Sequence, residues 1–161
     1  MIKSLTLTAA AALTLIGSAA FADGHGGGDA EAGENLWRNC RSCHSITADD
    51  GTVIQNGGRT GPNLYGLPGR AVASVEDFRY GPAILAFAEL DGGQVWTEEL
   101  FVDYVTNPTT FLREHLGDQT ARSAMTFRLN RGADDMWAYL ASVSPAVSDD
   151  DSDTEEDAPS E

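Results

Sequence analysis

The chain has 161 residues, with 25 acidic against 10 basic side chains and a formal charge of −15. A balance this acidic argues against nucleic acid or anionic membrane surfaces as partners, and it favours a soluble monomer without determining a fold. Two cysteines, Cys40 and Cys43, are too few for a four-ligand structural zinc site, and the length suits one compact domain.

Lys3 precedes the apolar run Leu5 to Ile16, and small residues ending in Ala20-Phe21-Ala22 follow, the three-part layout of a secretory signal peptide over residues 1–22. Cleavage after Ala22 is expected, because the apolar core is too short and alanine-rich to span a bilayer comfortably. It removes the chain's only lysine, Lys3, and takes the formal charge of the remainder to −16, one below the −15 of the full chain. Residues 23–27, glycine-rich around His25, read as a flexible lead-in; one imidazole without further ligands binds little metal.

From Ala30 to Cys43, the residues Gly33, Leu36, Trp37 and Cys40 fall at helical spacing and predict an amphipathic helix running into Cys40-Arg41-Ser42-Cys43-His44. Two thiols three positions apart followed at once by histidine form the attachment pattern of a covalently held haem. Each sulfur can add across one vinyl group, and His44 is placed to ligate the iron. A redox dithiol would also use such a cysteine pair, but no βαβ frame surrounds it and that reading leaves His44 unexplained. Haem of this type is attached outside the cytoplasmic membrane in bacteria, which agrees with export and points to the periplasm.

Ser45 to Tyr80 is glycine-rich and shows no sustained alternation, so it reads as loops with turns rather than a sheet. Thr97 is a plausible N-cap, with Glu98 and Glu99 in the first turn and Phe101, Tyr104 and Val105 on one face before Asn107-Pro108 breaks the pattern. A shorter helix follows over Thr109 to Leu116. After Gly132, Met136, Tyr139, Leu140 and Val143 repeat helical spacing until Ser144-Pro145 stops the helix. Its apolar face matches that of the first helix, and Gly33 would let the two cross closely. Residues 148–161 carry eight carboxylates and no cation and read as a disordered acidic tail; a calcium loop at Asp149, Asp151 and Asp153 fails because its sixth position is Thr154 instead of glycine. The predicted fold is all-α: one domain over residues 28–147, with few helices and long loops wrapped around a haem that gives them something to pack on.

A six-coordinate iron needs a second ligand, and the candidates are Met125, Met136, His25 and His115. Met136 lies on a packing face, His25 in the lead-in, and His115 in a helical setting that suits a surface histidine. Met125 remains, though a lone methionine is more often core filler.

The runs GDAEAGENLWRNCRSCHSI (28–46), TGPNLYGLPGR (60–70), DFRY (77–80), WTEEL (96–100) and MTFRL (125–129), closed by AYLASV, resemble the class I c-type cytochromes, specifically periplasmic cytochromes c₂ and their mitochondrial relatives. The resemblance covers residues 28–143. It implies that Met125 is the second axial ligand and that the Pro62 carbonyl accepts the proton on the other His44 nitrogen. It further implies that Arg70, Tyr80 and Trp96 hold the haem propionates and that Tyr104 lies beside the Met125 sulfur. Without it, Trp96 and Tyr104 would pass for core aromatics, Arg70 for a solvated cation and Pro62 for a turn.

The expected function is one-electron transport without bond-making at iron, between a cytochrome bc-type complex and a terminal oxidase or photosynthetic reaction centre. Relatives commonly ring the haem edge with lysines; here none is left after cleavage, and Arg38, Arg41, Arg59, Arg122 and Arg128 adjoin the haem motifs in their place. A periplasmic dehydrogenase or reductase is the alternative partner. A haem peroxidase or gas-binding protein is the rival class, and it needs an open sixth position.

Overall fold

The computed structural model describes residues 27–145. The assignments for residues 1–22 and 148–161, most of the lead-in, His25 and the rejected calcium loop all lie outside them. Five α-helices and two short strands make up the described chain. No helix among these residues is long and apolar enough to cross a membrane.

Helix α1 spans Ala30–Leu36 and is capped by Asp29, whose carboxylate accepts from the Glu31 and Ala32 amides at 2.9 and 3.2 Å. It ends sooner than the periodicity predicts. From Trp37 to Asn39 the backbone tightens into a 3₁₀ turn, and Cys40 to Cys43 follow as turns. The tighter winding keeps Trp37 buried while swinging the next residues off the helix axis.

Ser45 to Tyr80 is not all loop. β1 (Ile46–Thr47) pairs antiparallel with β2 (Val53–Gln55) across an irregular register, correcting the expectation of no sheet; strands of two and three residues are too short to show alternation. Helix α2 (Pro82–Ala88) was not anticipated, although Gly81-Pro82 is a valid start, with Pro82 in the first turn where its missing N–H costs nothing.

Helix α3 (Glu98–Thr106) begins where predicted, with the Thr97 hydroxyl accepting from the Leu100 amide at 3.3 Å. Asn107 ends α3 and caps α4 (Pro108–Leu116), so Asn107-Pro108 is a join rather than a gap, and α4 starts one residue before the expected Thr109. Helix α5 (Ala133–Ser142) packs most extensively on α1 and also takes α3, while α4 lies against α2 and α3.

Among the described residues Ile46, Phe87, Leu112, Met136, Leu140 and Pro108 are the largest fully buried side chains, and all but Pro108 belong to a single apolar core. At the crossing of α1 and α5, a Cβ on Gly33 would collide with the Asp135 carbonyl and the Tyr139 Cβ, and one on Gly28 with the Asp134 carbonyl. The Asp29 amide donates to the Asp135 carboxylate at 2.8 Å, so both ends of the domain are clasped. Gln55 Nε2 donates to the Tyr139 hydroxyl at 2.7 Å, fastening the hairpin to α5. A Tyr139→Phe variant is expected to lose about 1 kcal/mol, the usual worth of one partly buried hydrogen bond, as a lowered urea midpoint with unchanged slope.

Candidate haem site

The Cys40–His44 turn is shaped by its own backbone and by a glycine loop laid over it. The Cys40 and Arg41 amides donate to the Trp37 carbonyl at 2.8 and 3.0 Å, and the Cys43 and His44 amides to that of Cys40, both at 3.0 Å. The Gly58 amide then donates to the Arg41 carbonyl and the Gly61 amide to that of Cys43, each at 2.9 Å. A Cβ at Gly57 or Gly58 would strike the His44 or Ser42 carbonyl, so only glycine permits this approach.

The two cysteines form no disulfide, and they differ in exposure: Cys40 is part-buried and Cys43 exposed. Burial, with the neighbouring Cys43 adding, pushes the Cys40 thiol up to about 11. Hydrogen bonds from the Thr60 and Ser42 hydroxyls hold the exposed Cys43 thiol below its ordinary value.

His44 Nδ1 lies 2.8 Å from the Pro62 carbonyl oxygen. That oxygen can only accept, so Nδ1 carries the proton and Nε2 of the neutral ring keeps its lone pair. Burial drives the His44 pKa below its ordinary value and so favours the neutral ring, while the Pro62 contact opposes that shift. Gly61 lies flat against the imidazole, and a Cβ there would run into the ring.

A second group of residues gathers around Arg70. Its two terminal nitrogens donate to the Tyr65 and Asn63 carbonyls at 2.7 and 3.0 Å, tying it to the loop that follows Pro62. Its Nε is buried without a partner, as is Trp37 Nε1. The Trp96 amide donates to the Arg70 carbonyl and the Gly69 amide to that of Trp96, both at 2.9 Å, so Arg70 and Trp96 sit side by side. Trp96 is buried and its ring lies 5.3 Å from that of Tyr104. Tyr80 accepts from the Val75 amide at 3.3 Å; burial raises its pKa, and the nearby Arg70 charge and the Val75 contact oppose the rise.

The Met125 segment is pinned at several points, and Ser123 is the hub. Ser123 Oγ lies 3.0 Å from the Tyr104 hydroxyl and accepts from the Met125 amide at 3.1 Å, while the Ser123 amide donates to Thr109 Oγ1 at 3.3 Å. Arg113 Nε donates to the Ala121 carbonyl and the Leu129 amide to that of Val105. Met125 itself is half-buried against the core. No hydrogen bond among the described residues joins the Cys40–His44 turn to this segment. Met136 is buried between helices, and His115 is exposed on α4, with its Nδ1 2.9 Å from the Phe111 carbonyl and its ring tilted on Phe111.

Ser123, Gly57, Gly58, Gly61 and Asn63 were not singled out from sequence. Asn63 bonds both backbone groups of Thr47. Only the glycine run and the doublet Ser123-Ala124 before Met125 offered any local signal.

The donor set fits a haem. One exposed and one part-buried thiol, an imidazole with Nε2 to offer, a thioether on a pinned loop, and a part-buried guanidinium whose Nε–H is buried without a partner are what attachment, iron and propionates require. Such a shell of helices and loops is suited to holding a haem. No protein-family model matches the chain. It is 48% identical over 143 residues to cytochrome c-551 of Roseobacter denitrificans, covering 89% of this chain and 98% of that one. It is 46% identical to cytochrome c2 of Rhodobacter capsulatus, covering 87% and 96%. The X-ray structure of cytochrome c2 from Paracoccus denitrificans superposes with a TM-score of 0.73 at 45% identity, covering 74% of this chain and 99% of that one. The chain belongs to the class I c-type cytochromes, with their all-α fold, and is an electron-transfer protein and not an enzyme.

Proposed function

We propose that this is an exported periplasmic carrier with one haem c. Cys40 and Cys43 form the thioether links, His44 and Met125 ligate the iron, and Arg70, Tyr80 and Trp96 hold the propionates. When bound, the haem supplies a ferric–ferrous couple that moves one electron at a time. The observation that carries this reading is the His44–Pro62 contact of 2.8 Å over Gly61, which commits one ring nitrogen to the backbone and frees the other. The protein's own part is to hold geometry fixed. Ser123 and Tyr104 restrain the Met125 backbone, and Trp96, Tyr104 and Leu64 line the interior with apolar surface.

Residues 1–22 serve as the signal peptide in this reading, and residues 28–147 as the haem domain. Donor and acceptor are membrane redox complexes, a cytochrome bc-type complex on one side and a terminal oxidase or photosynthetic reaction centre on the other. Docking uses Arg38, Arg41, Arg59, Arg122 and Arg128, all of which are exposed. Residues 35–48, 51–75 and 119–133, which hold the thiols, both proposed iron ligands and Pro62, contain seven of the nine arginines and no carboxylate. A partner's acidic patch would meet this face in weak, salt-sensitive contact suited to turnover.

The deciding test is an absorption spectrum of the reduced protein with and without carbon monoxide at neutral pH. A closed sixth position predicts no change on adding the gas, together with a weak sulfur-to-iron band in the oxidised form. Ready binding would move the protein to the gas-binding or peroxidase class.

A further inference from the structure

Helix α2 is apolar on every side. Pro82–Ala88 carries no polar side chain, and a helix of that kind is ordinarily buried all round. Here only Ala83, Ile84 and Phe87 are buried, and Phe87 meets Phe111 of α4 with ring centroids 4.8 Å apart. Pro82, Leu85, Ala86 and Glu89 are exposed, and their spacing of zero, three, four and seven places them on one outer face. Leu85, at 44% exposure, is its centre.

The two ends of that face differ in charge. At its start, a Cβ on Gly81 would lie 3.6 Å from the Ala124 Cβ, in ordinary contact, so the start of α2 touches the Met125 segment. Arg79 and Arg122 stand two residues from the two halves of that contact, both exposed, and residues 78–88 and 119–133 contain no carboxylate. At its far end Glu89 closes the face and Asp91 follows, both exposed. The Gln94 amide donates to the Ala88 carbonyl there at 3.0 Å, which brings up the exposed Val95. Pro82 and Glu89 are roughly 10 Å apart along the helix axis, so a cationic end, an apolar centre and an acidic end follow one another within a short distance.

We propose that the outer face of α2 is covered by the same face of a second copy of this chain, in a weak two-fold dimer. The face is complementary to itself in shape and in charge. About an axis passing between Leu85 and Ala86, two α2 helices lie antiparallel, and the large Leu85 of each copy meets the small Ala86 of the other. The same rotation carries Glu89 of each copy to the Arg79 and Arg122 end of its mate. Exposed ion pairs of this kind add little affinity, so the apolar centre drives association and the charged ends fix its direction. The net acidic charge of the chain opposes the approach of two copies and keeps the pair transient. Because Ala124 directly precedes Met125, pairing covers one side of that loop, and it sets aside a share of the carrier that grows with its concentration.

Sedimentation and heteronuclear NMR of the haem-loaded full chain over a range of concentrations test this. A dissociation constant of about 0.1–1 mM is expected, as for a small transient interface, with amide shifts that grow with concentration along residues 79–89 and 122–124. Leu85→Ser, at an exposed position, should weaken pairing about tenfold or more while the haem spectrum stays that of the parent. Arg79→Glu with Arg122→Glu should weaken it about three- to tenfold, as should Glu89→Arg, and the three changes together, which exchange the two ends, should bring it back within about threefold of the parent. A chain that stays monomeric at about 2 mM overturns the proposal, as do shifts centred on Val53 and Ile54, pairing that Leu85→Ser leaves unchanged, or exchanged ends that recover nothing. A monomeric chain whose Leu85→Ser variant is reduced more slowly by membranes bearing a cytochrome bc-type complex would give the face to another protein, and the second copy would fall.

Discussion

A Met125→Ala variant is expected to bind carbon monoxide in the reduced state, lose the sulfur-to-iron band when oxidised, and drop in reduction potential by ~0.1–0.3 V, part of the roughly 0.8 V that axial ligands command. The loop should survive the change. Its backbone is fixed by Ser123 Oγ on the Met125 amide, by Arg113 on Ala121 and by Leu129 on Val105, none of which uses the methionine side chain. Met136→Ala is the contrasting variant. Met136 is 1% exposed, so its truncation opens a cavity costing about 2–5 kcal/mol, while the spectrum stays that of the parent. Spectral change without much unfolding at position 125, and unfolding without spectral change at 136, are the paired outcomes. The reverse pattern would remove Met125 from the site.

A Gly33→Val variant is expected to be among the most damaging single changes in the helical frame. Its side chain would press on a backbone carbonyl at Asp135 and on the Cβ of Tyr139, neither of which can rotate away, so α1 and α5 must part. Overpacking of this kind costs about 3 kcal/mol or more, which for a domain of this size lowers the thermal midpoint by roughly 10 °C or more. Gly27→Val, with open space around it, should be nearly neutral. Equal losses at both positions would show that the cost comes from backbone entropy instead of the crossing.

The parts legible from sequence are those whose signal is local. Cys40 to His44 is a contiguous pattern, Thr97 starts α3 with the cap its side chain provides, and α5 is long enough for a 3.6-residue period to emerge. Trp37 to Asn39 misled because a 3₁₀ turn keeps apolar residues inward for one turn before its spacing departs from a helix. The β1–β2 pair and α2 are too short for periodicity to register. Ser123 was invisible for a different reason. Its importance comes from Tyr104 and Thr109 being brought beside it by α3 and α4, and no local property of the serine announces that.

The clasp between Asp29 and Asp135 joins residues 106 positions apart. Closing so long a loop costs about 4 kcal/mol of chain entropy, and contacts of that range slow folding. The α1–α5 interface therefore cannot form until nearly the whole domain has been delivered, whereas Cys40 to His44 emerge within the first third of the chain. A chain exported as proposed would therefore present Cys40 to His44 while still open, before α5 can pack against α1.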